Sequence, residues 1–190
     1  MTKTLIVHGL DGSPDPHWQH WWAMTDSAAI VVNLPNPSRP SPAEWEVELA
    51  SVILRHPDSI LVGHSLGAVL IARVLSTWPQ LRARGALLVA PAETQGNDRI
   101  GQFGAIPERP LGLPSAVVAS RNDPWMGFDR AGQLARNWGA DLVDLGQAGH
   151  INVASGFGPW PQGKDLRNGL LAAGSRPQRP TVTPRAGVSG

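Results

Sequence analysis

The chain reads as an α/β domain built on an open parallel sheet with helices on both faces, and two observations carry that expectation. Six short aliphatic runs recur: Thr4-Leu5-Ile6-Val7, Ala29-Ile30-Val31-Val32, Ile60-Leu61-Val62, Ala86-Leu87-Leu88-Val89, Ala116-Val117-Val118-Ala119 and Leu142-Val143-Asp144-Leu145. They are near-continuous apolar runs, as strands covered on both faces should be. Helical patterns separate most of them, and such βαβ alternation makes parallel neighbours, with an expected strand order of 2-1-3-4-5-6.

The helices announce themselves in turn. Ser41-Pro42-Ala43-Glu44 has the form of a capping box with proline at the first helical position. Behind it Trp45, Leu49, Val52 and Ile53 form one apolar stripe at i, i+4, i+7 and i+8. Leu66 to Thr77 reads as a second helix stopped by Trp78-Pro79, and Phe128 to Trp138 as a third with Gly139 as its C-cap. A last helix is expected from Lys164 to Ala173. Residues 92–113 join two strands without a clear helix, a connection long enough to suggest a lid or binding loop. Residues 175–190 hold three arginines and three prolines with no acid and no large aromatic, which predicts a flexible tail after a domain spanning 1–174.

Composition narrows the function. The 190 residues are 42% hydrophobic, enough for one core, and carry a net charge of +1. So balanced a charge has no field that would draw the protein onto nucleic acid or an anionic membrane. There is no cysteine, which excludes disulfides, thiolate nucleophiles and cysteine zinc sites. Met1-Thr2-Lys3-Thr4 leads into only three apolar residues before His8-Gly9, which does not resemble a secretory signal, and no apolar stretch is long enough for a membrane span. The expectation is a soluble cytoplasmic protein.

Gly63-His64-Ser65-Leu66-Gly67 has the form G-x-S-x-G. The pattern alone is weak; its placement is not. It follows the strand Ile60-Leu61-Val62 and opens the helix at Leu66, the strand–turn–helix setting of a nucleophile elbow. The sharp turn lifts the serine oxygen off the sheet, the glycines let neighbouring backbone pass, and the helix points its positive end at the reacting centre. A serine hydroxyl needs a base, and the base needs a carboxylate to orient it. In such folds the order is Ser, acid, His, each beyond a later strand. Asp123 follows the strand Ala116–Ala119, and His150 follows Leu142–Leu145. A tetrahedral intermediate needs two backbone donors: Leu66, next to the serine, and Leu10, in the loop after the first strand.

Other residues invite functional readings. His64 is expected to pack under the elbow and His8 to brace its loop. His17 and His20 lie three apart, but no acidic residue joins them at helical spacing, so no metal site is expected. Trp18, Trp21 and Trp125 follow strand ends on the catalytic side, and Phe103, Ile106 and Leu111 lie in the long connection. Of these, Trp18, Phe103, Ile106 and Trp125 are candidates for the substrate-binding wall.

Over residues 3–173 the chain resembles the small α/β-hydrolases typified by retinoblastoma-binding protein 9 and the bacterial YdeN proteins. The resemblance rests on Gly63-His64-Ser65-Leu66-Gly67, Ser120-Arg121-Asn122-Asp123-Pro124, Gly149-His150-Ile151-Asn152 and, most specifically, Ser155-Gly156-Phe157-Gly158-Pro159-Trp160-Pro161-Gln162-Gly163. It implies a compact α/β-hydrolase fold lacking the usual two leading strands, with no large cap domain, and a Ser65–His150–Asp123 triad. Retinoblastoma protein is not implied as a partner, because its Leu-x-Cys-x-Glu motif needs a cysteine.

The reading is a serine hydrolase, without cofactor, cleaving a small ester, thioester or amide through an acyl-enzyme on Ser65. Two alternatives are a catalytically silent binding protein on the same scaffold and an acyltransferase or perhydrolase using the same triad.

Overall fold

The computed structural model describes residues 1–173, so the expected tail at 175–190 lies outside the described residues. Six strands form one parallel sheet: β1 (Thr4–Val7), β2 (Ala29–Val31), β3 (Ser59–His64), β4 (Ala83–Val89), β5 (Ser115–Ala119) and β6 (Asp141–Asp144). Their order, β2-β1-β3-β4-β5-β6, is the expected one. The helices are α1 (Trp18–Thr25), α2 (Pro42–Arg55), α3 (Leu66–Thr77), α4 (Phe128–Trp138) and α5 (Pro161–Ala173). Among the described residues no cap domain is inserted between strands, and no helix is long and apolar enough to cross a membrane.

Two cores follow from the alternation of side chains across the sheet. Leu5, Val7, Leu61, Leu88 and Val117 face α2, α3 and α4, where Trp45, Leu70 and Trp138 are buried. Ile6, Ile60, Val62, Leu87 and Val118 face α1 and α5, packing on Trp18, Trp22, Trp160 and Leu170. The caps are as read: Ser41 Oγ accepts the Glu44 amide of α2, and Gly139 closes α4 at φ +68°.

Four corrections concern the elements. The expectation that all six strands are covered on both faces holds for β1, β3, β4 and β5 only. β2 and β6 are the sheet edges: Val31 is 50% exposed and Leu142 41%. Strand starts also move: β3, β5 and β6 begin one residue early, at Ser59, Ser115 and Asp141, and β4 begins three early, at Ala83. α5 starts at Pro161 rather than Lys164, since proline fits the first helical turn. α1 was not anticipated at all. Its signals are the i, i+4 pair Trp18 and Trp22 and the unusual N-cap His17, whose side chain accepts the Gln19 amide.

Candidate active site

The site lies at the C-terminal ends of the strands, where an open α/β sheet places its ligands. Ser65 follows β3 and caps α3 with φ +57° and ψ −123°, a conformation costly for a residue with a Cβ. The strain is held in place from both sides: the Ser65 amide donates to Val89 O at 2.9 Å, and Ser65 O accepts from Ala68 at 3.1 Å. The loop after β1 lies against this turn. A Cβ built on Gly9 would sit 2.9 Å from Ser65 Cβ and 3.3 Å from Leu66 N, so glycine lets Leu10 come alongside the elbow. Among the described residues, neither the Leu10 nor the Leu66 amide has a hydrogen-bond partner.

The three residues expected to act together are brought together. Ser65 Oγ is 2.9 Å from His150 Nε2, and His150 Nδ1 is 3.0 and 2.9 Å from the two Asp123 carboxylate oxygens. A carboxylate only accepts, so His150 Nδ1 carries the proton and Nε2 is left to accept from the Ser65 hydroxyl. The His150 and Asp123 side chains are 8% and 3% exposed. Asp123 Oδ1 also accepts the Trp125 amide at 2.9 Å.

A polar net fixes the two loops that carry Asp123 and His150. Ser120 Oγ donates to Asn122 Oδ1 and accepts the Ala148 amide; Asn122 Oδ1 also accepts the Gly149 amide at 2.8 Å. Ser155 Oγ accepts the His150 amide at 3.1 Å. Asn122 is thereby committed to the His150 loop, and Asp144 to Arg121 at 2.6 Å, so neither is free to replace Asp123.

Burial sets the charge of the surrounding histidines. His64 lies between His17 and His150, with ring centroids 4.9 and 5.0 Å away, and its Nε2–H donates to His150 O at 2.9 Å. Burial first, and the charges of His150 and His17 next, hold its pKa well below the ordinary value. His17 is lowered from 6.5 to about 4, again by burial and then by His150. His8 is lowered by burial, which outweighs its bond to Gly9 O. All three rings are therefore neutral at pH 7, and His64 and His8 pack as expected.

A family model described as serine hydrolase matches residues 4–168. The chain belongs to this serine hydrolase family. YdeN of Bacillus subtilis (strain 168) is 27% identical to this serine hydrolase over 176 residues, covering 85% of this chain and 92% of YdeN. A YdeN-like protein of Pectobacterium atrosepticum has a solved structure that is 31% identical, with a TM-score of 0.82 and 92% of each chain covered. The crystal structure of the ydeN gene product is 25% identical at a TM-score of 0.70, covering 90% of this chain and all of the other.

The serine hydrolase has a cavity of about 250 Å³ over Ser65, lined among others by Leu10, His17, His64, Ile100, Trp125 and His150. Trp125, 53% exposed, is where a binding residue was expected. The other three wall candidates are corrected. Trp18 is fully buried beneath the site, donating Nε1–H to Ile151 O at 2.9 Å and packing on Trp22 and Trp160. Phe103 and Ile106 are core residues, 1% and 4% exposed. Phe103 ends a 3₁₀ turn (Gly101–Phe103) and packs edge-on against Trp45 at 5.8 Å, because the long connection folds down over α2 instead of across the cavity. Its first part does reach the site, through Ala92, Asn97, Arg99 and Ile100, while Leu111 lies at the opposite end of the sheet, beside Leu81. Trp21 packs under the Lys164 ammonium, 4.5 Å from the ring centroid.

Sequence reasoning missed the polar lining. Arg99 clasps Asp11 with two bonds of 2.8 Å, tying the long connection to the loop after β1 and lowering the Asp11 pKa. His20, three residues after His17, lies 3.9 Å from Asp15.

Proposed function

We propose that this serine hydrolase cleaves small esters, thioesters or amides through a covalent acyl-enzyme on Ser65. The observation that carries the reading is the unbroken chain from the Ser65 hydroxyl through His150 to the Asp123 carboxylate, buried at its acid end.

In this reading His150 Nε2 takes the hydroxyl proton as Ser65 Oγ attacks the acyl carbon. Asp123 holds the imidazole in the required tautomer and stabilises its charged form. The developing oxyanion is received by the amides of Leu66 and Leu10, which lack other partners among the described residues. Leu66 adds the positive end of α3. Collapse breaks the bond to the leaving alcohol, thiol or amine, and the His150 imidazolium protonates it. Water then attacks the acyl-serine by the same steps in reverse, releasing the acid and free Ser65. A cavity of about 250 Å³ supports short acyl groups.

The test is a series of p-nitrophenyl esters of graded length beside aminoacyl amides, with Ser65→Ala as the comparison. Ser65→Ala should lose roughly 10³-fold or more in kcat with its fold intact. A fluorophosphonate probe should label the wild type and not the variant. Absence of labelling would favour a binding protein on a hydrolase scaffold, and preferential transfer to an added alcohol or peroxide would favour the transferase or perhydrolase reading.

A further inference from the structure

The cavity contains a side chain that this chemistry leaves unused. His17 is buried, yet it lines the same space as Ser65 and His150. Its Nδ1 is committed, because as the N-cap of α1 it accepts the Gln19 amide at 3.1 Å. A neutral imidazole that accepts at Nδ1 carries its proton at Nε2. Among the described residues nothing accepts that Nε2–H. The ring cannot turn to find a partner without giving up the helix cap and its packing against Trp18 and His64.

Ring packing also says which part of a substrate His17 meets. His17 rests on His64, and His64 rests on His150, so His17 belongs to the wall that carries His150. In acyl transfer the departing group lies beside the base that protonates it. An oriented, uncharged donor on that wall suits an acceptor oxygen in the departing group. A cation there would instead oppose the imidazolium that must form on His150.

We infer that His17 is a specificity-determining residue that donates Nε2–H to an oxygen of the leaving alcohol, selecting esters of oxygenated alcohols over those of plain hydrocarbon alcohols. The inference rests on the acyl-enzyme reading. A hydrocarbon alcohol would cover the donor without pairing it, and sites built to hydrogen-bond a substrate discriminate against analogues lacking the partner.

The experiment compares 2-methoxyethyl butyrate with n-butyl butyrate, equal in heavy atoms, as kcat/KM normalised to each ester's alkaline hydrolysis rate. The wild type should favour the methoxyethyl ester roughly tenfold, the size of one net hydrogen bond. His17→Asn and His17→Ser each keep an oxygen that can cap α1 on a side chain too short to carry its own donor to the place of Nε2, and both should bring the ratio to about one. Thermal melts verify that each variant is folded. A wild-type ratio near one, or a preference that survives in a folded variant, overturns the inference. So does a fall in both rates at an unchanged ratio, the signature of a purely structural histidine. An enzyme that labels with fluorophosphonate but hydrolyses neither ester overturns the inference alone. One that neither labels nor hydrolyses refutes the acyl-enzyme reading, and the inference falls with it.

Discussion

The second glycine of the elbow gives the sharpest test of how the fold positions its serine. Gly67 opens α3 where the helix passes the end of β1. A methyl group built on it lies 2.5 Å from His8 O and 2.9 Å from His8 C, and closer still to Val7 O. All are backbone atoms of the sheet's first strand and the loop that follows it, so no side chain can swing away. Carbon and oxygen settle at about 3.3–3.6 Å, so Gly67→Ala must push the start of α3 outward by about 1 Å. Ser65 caps that helix and moves with it. Its 2.9 Å bond to His150 would then stretch toward about 4 Å, beyond hydrogen-bonding range.

A displacement of about 1 Å at a reacting group costs on the order of 10²-fold in rate. Overpacking should also destabilise by about 1–3 kcal/mol. Alanine's advantage over glycine inside a helix, at most about 1 kcal/mol, does not offset both. Gly169→Ala in α5 is the matched control, since a methyl group there meets nothing within 4 Å; it should be neutral or slightly stabilising. The assays are kcat/KM on p-nitrophenyl acetate and a thermal melt. Wild-type values of both in Gly67→Ala would refute the argument. Lower stability with full activity would show that Gly67 serves packing alone and does not set the serine.

Phe103→Ala should lower stability by about 3–5 kcal/mol, as for a buried aromatic, and leave the ratio of acetate to octanoate turnover unchanged; a changed ratio at constant melting temperature would return Phe103 to the pocket wall. Asp123→Asn should retain the fold but favour the wrong imidazole tautomer, lowering kcat by about 10⁴, and activity that persists while Asp144→Asn loses it would move the acid elsewhere. Stability should fall with acid between about pH 6.5 and 4. The folded pKa of His17 lies below its unfolded value, so the unfolded chain takes up the proton first, and stability is complete above that window. At about 1.4 kcal/mol per unit, His17 contributes a loss of about 3 kcal/mol, with His64 and His8 acting in the same direction. Urea midpoints that stay level from pH 7 to 4.5 would contradict this.

The apolar centres of the interior strands and the trio Ser65, Asp123 and His150 were legible because each rests on a rule of position. β1, β3, β4 and β5 are covered on both faces and therefore read as apolar runs. Ser65, Asp123 and His150 each stand just beyond a strand, where the end of the sheet gathers them whatever the loops do. Edges obey a weaker rule. In Asp141-Leu142-Val143-Asp144 only Val143 is partly buried, so its one-residue shift left little trace in hydrophobicity.

The cavity wall was not legible for a different reason. An apolar side chain in a loop has the same appearance whether it turns to a core or to a cavity, and Phe103 turned to the core because Trp45 on α2 offers an edge-on partner. Trp18 was drawn toward the site by its place after β1, but the first turn of α1 carries it beneath His64. Its neighbour His17 stays at the surface of the same cavity, since capping α1 holds its ring above that turn. Composition and spacing treat the two residues alike. The Ile151 carbonyl holds Trp18 below the site and the Gln19 amide holds His17 at its edge, and the second of these bonds both caps the helix and leaves one N–H for the cavity.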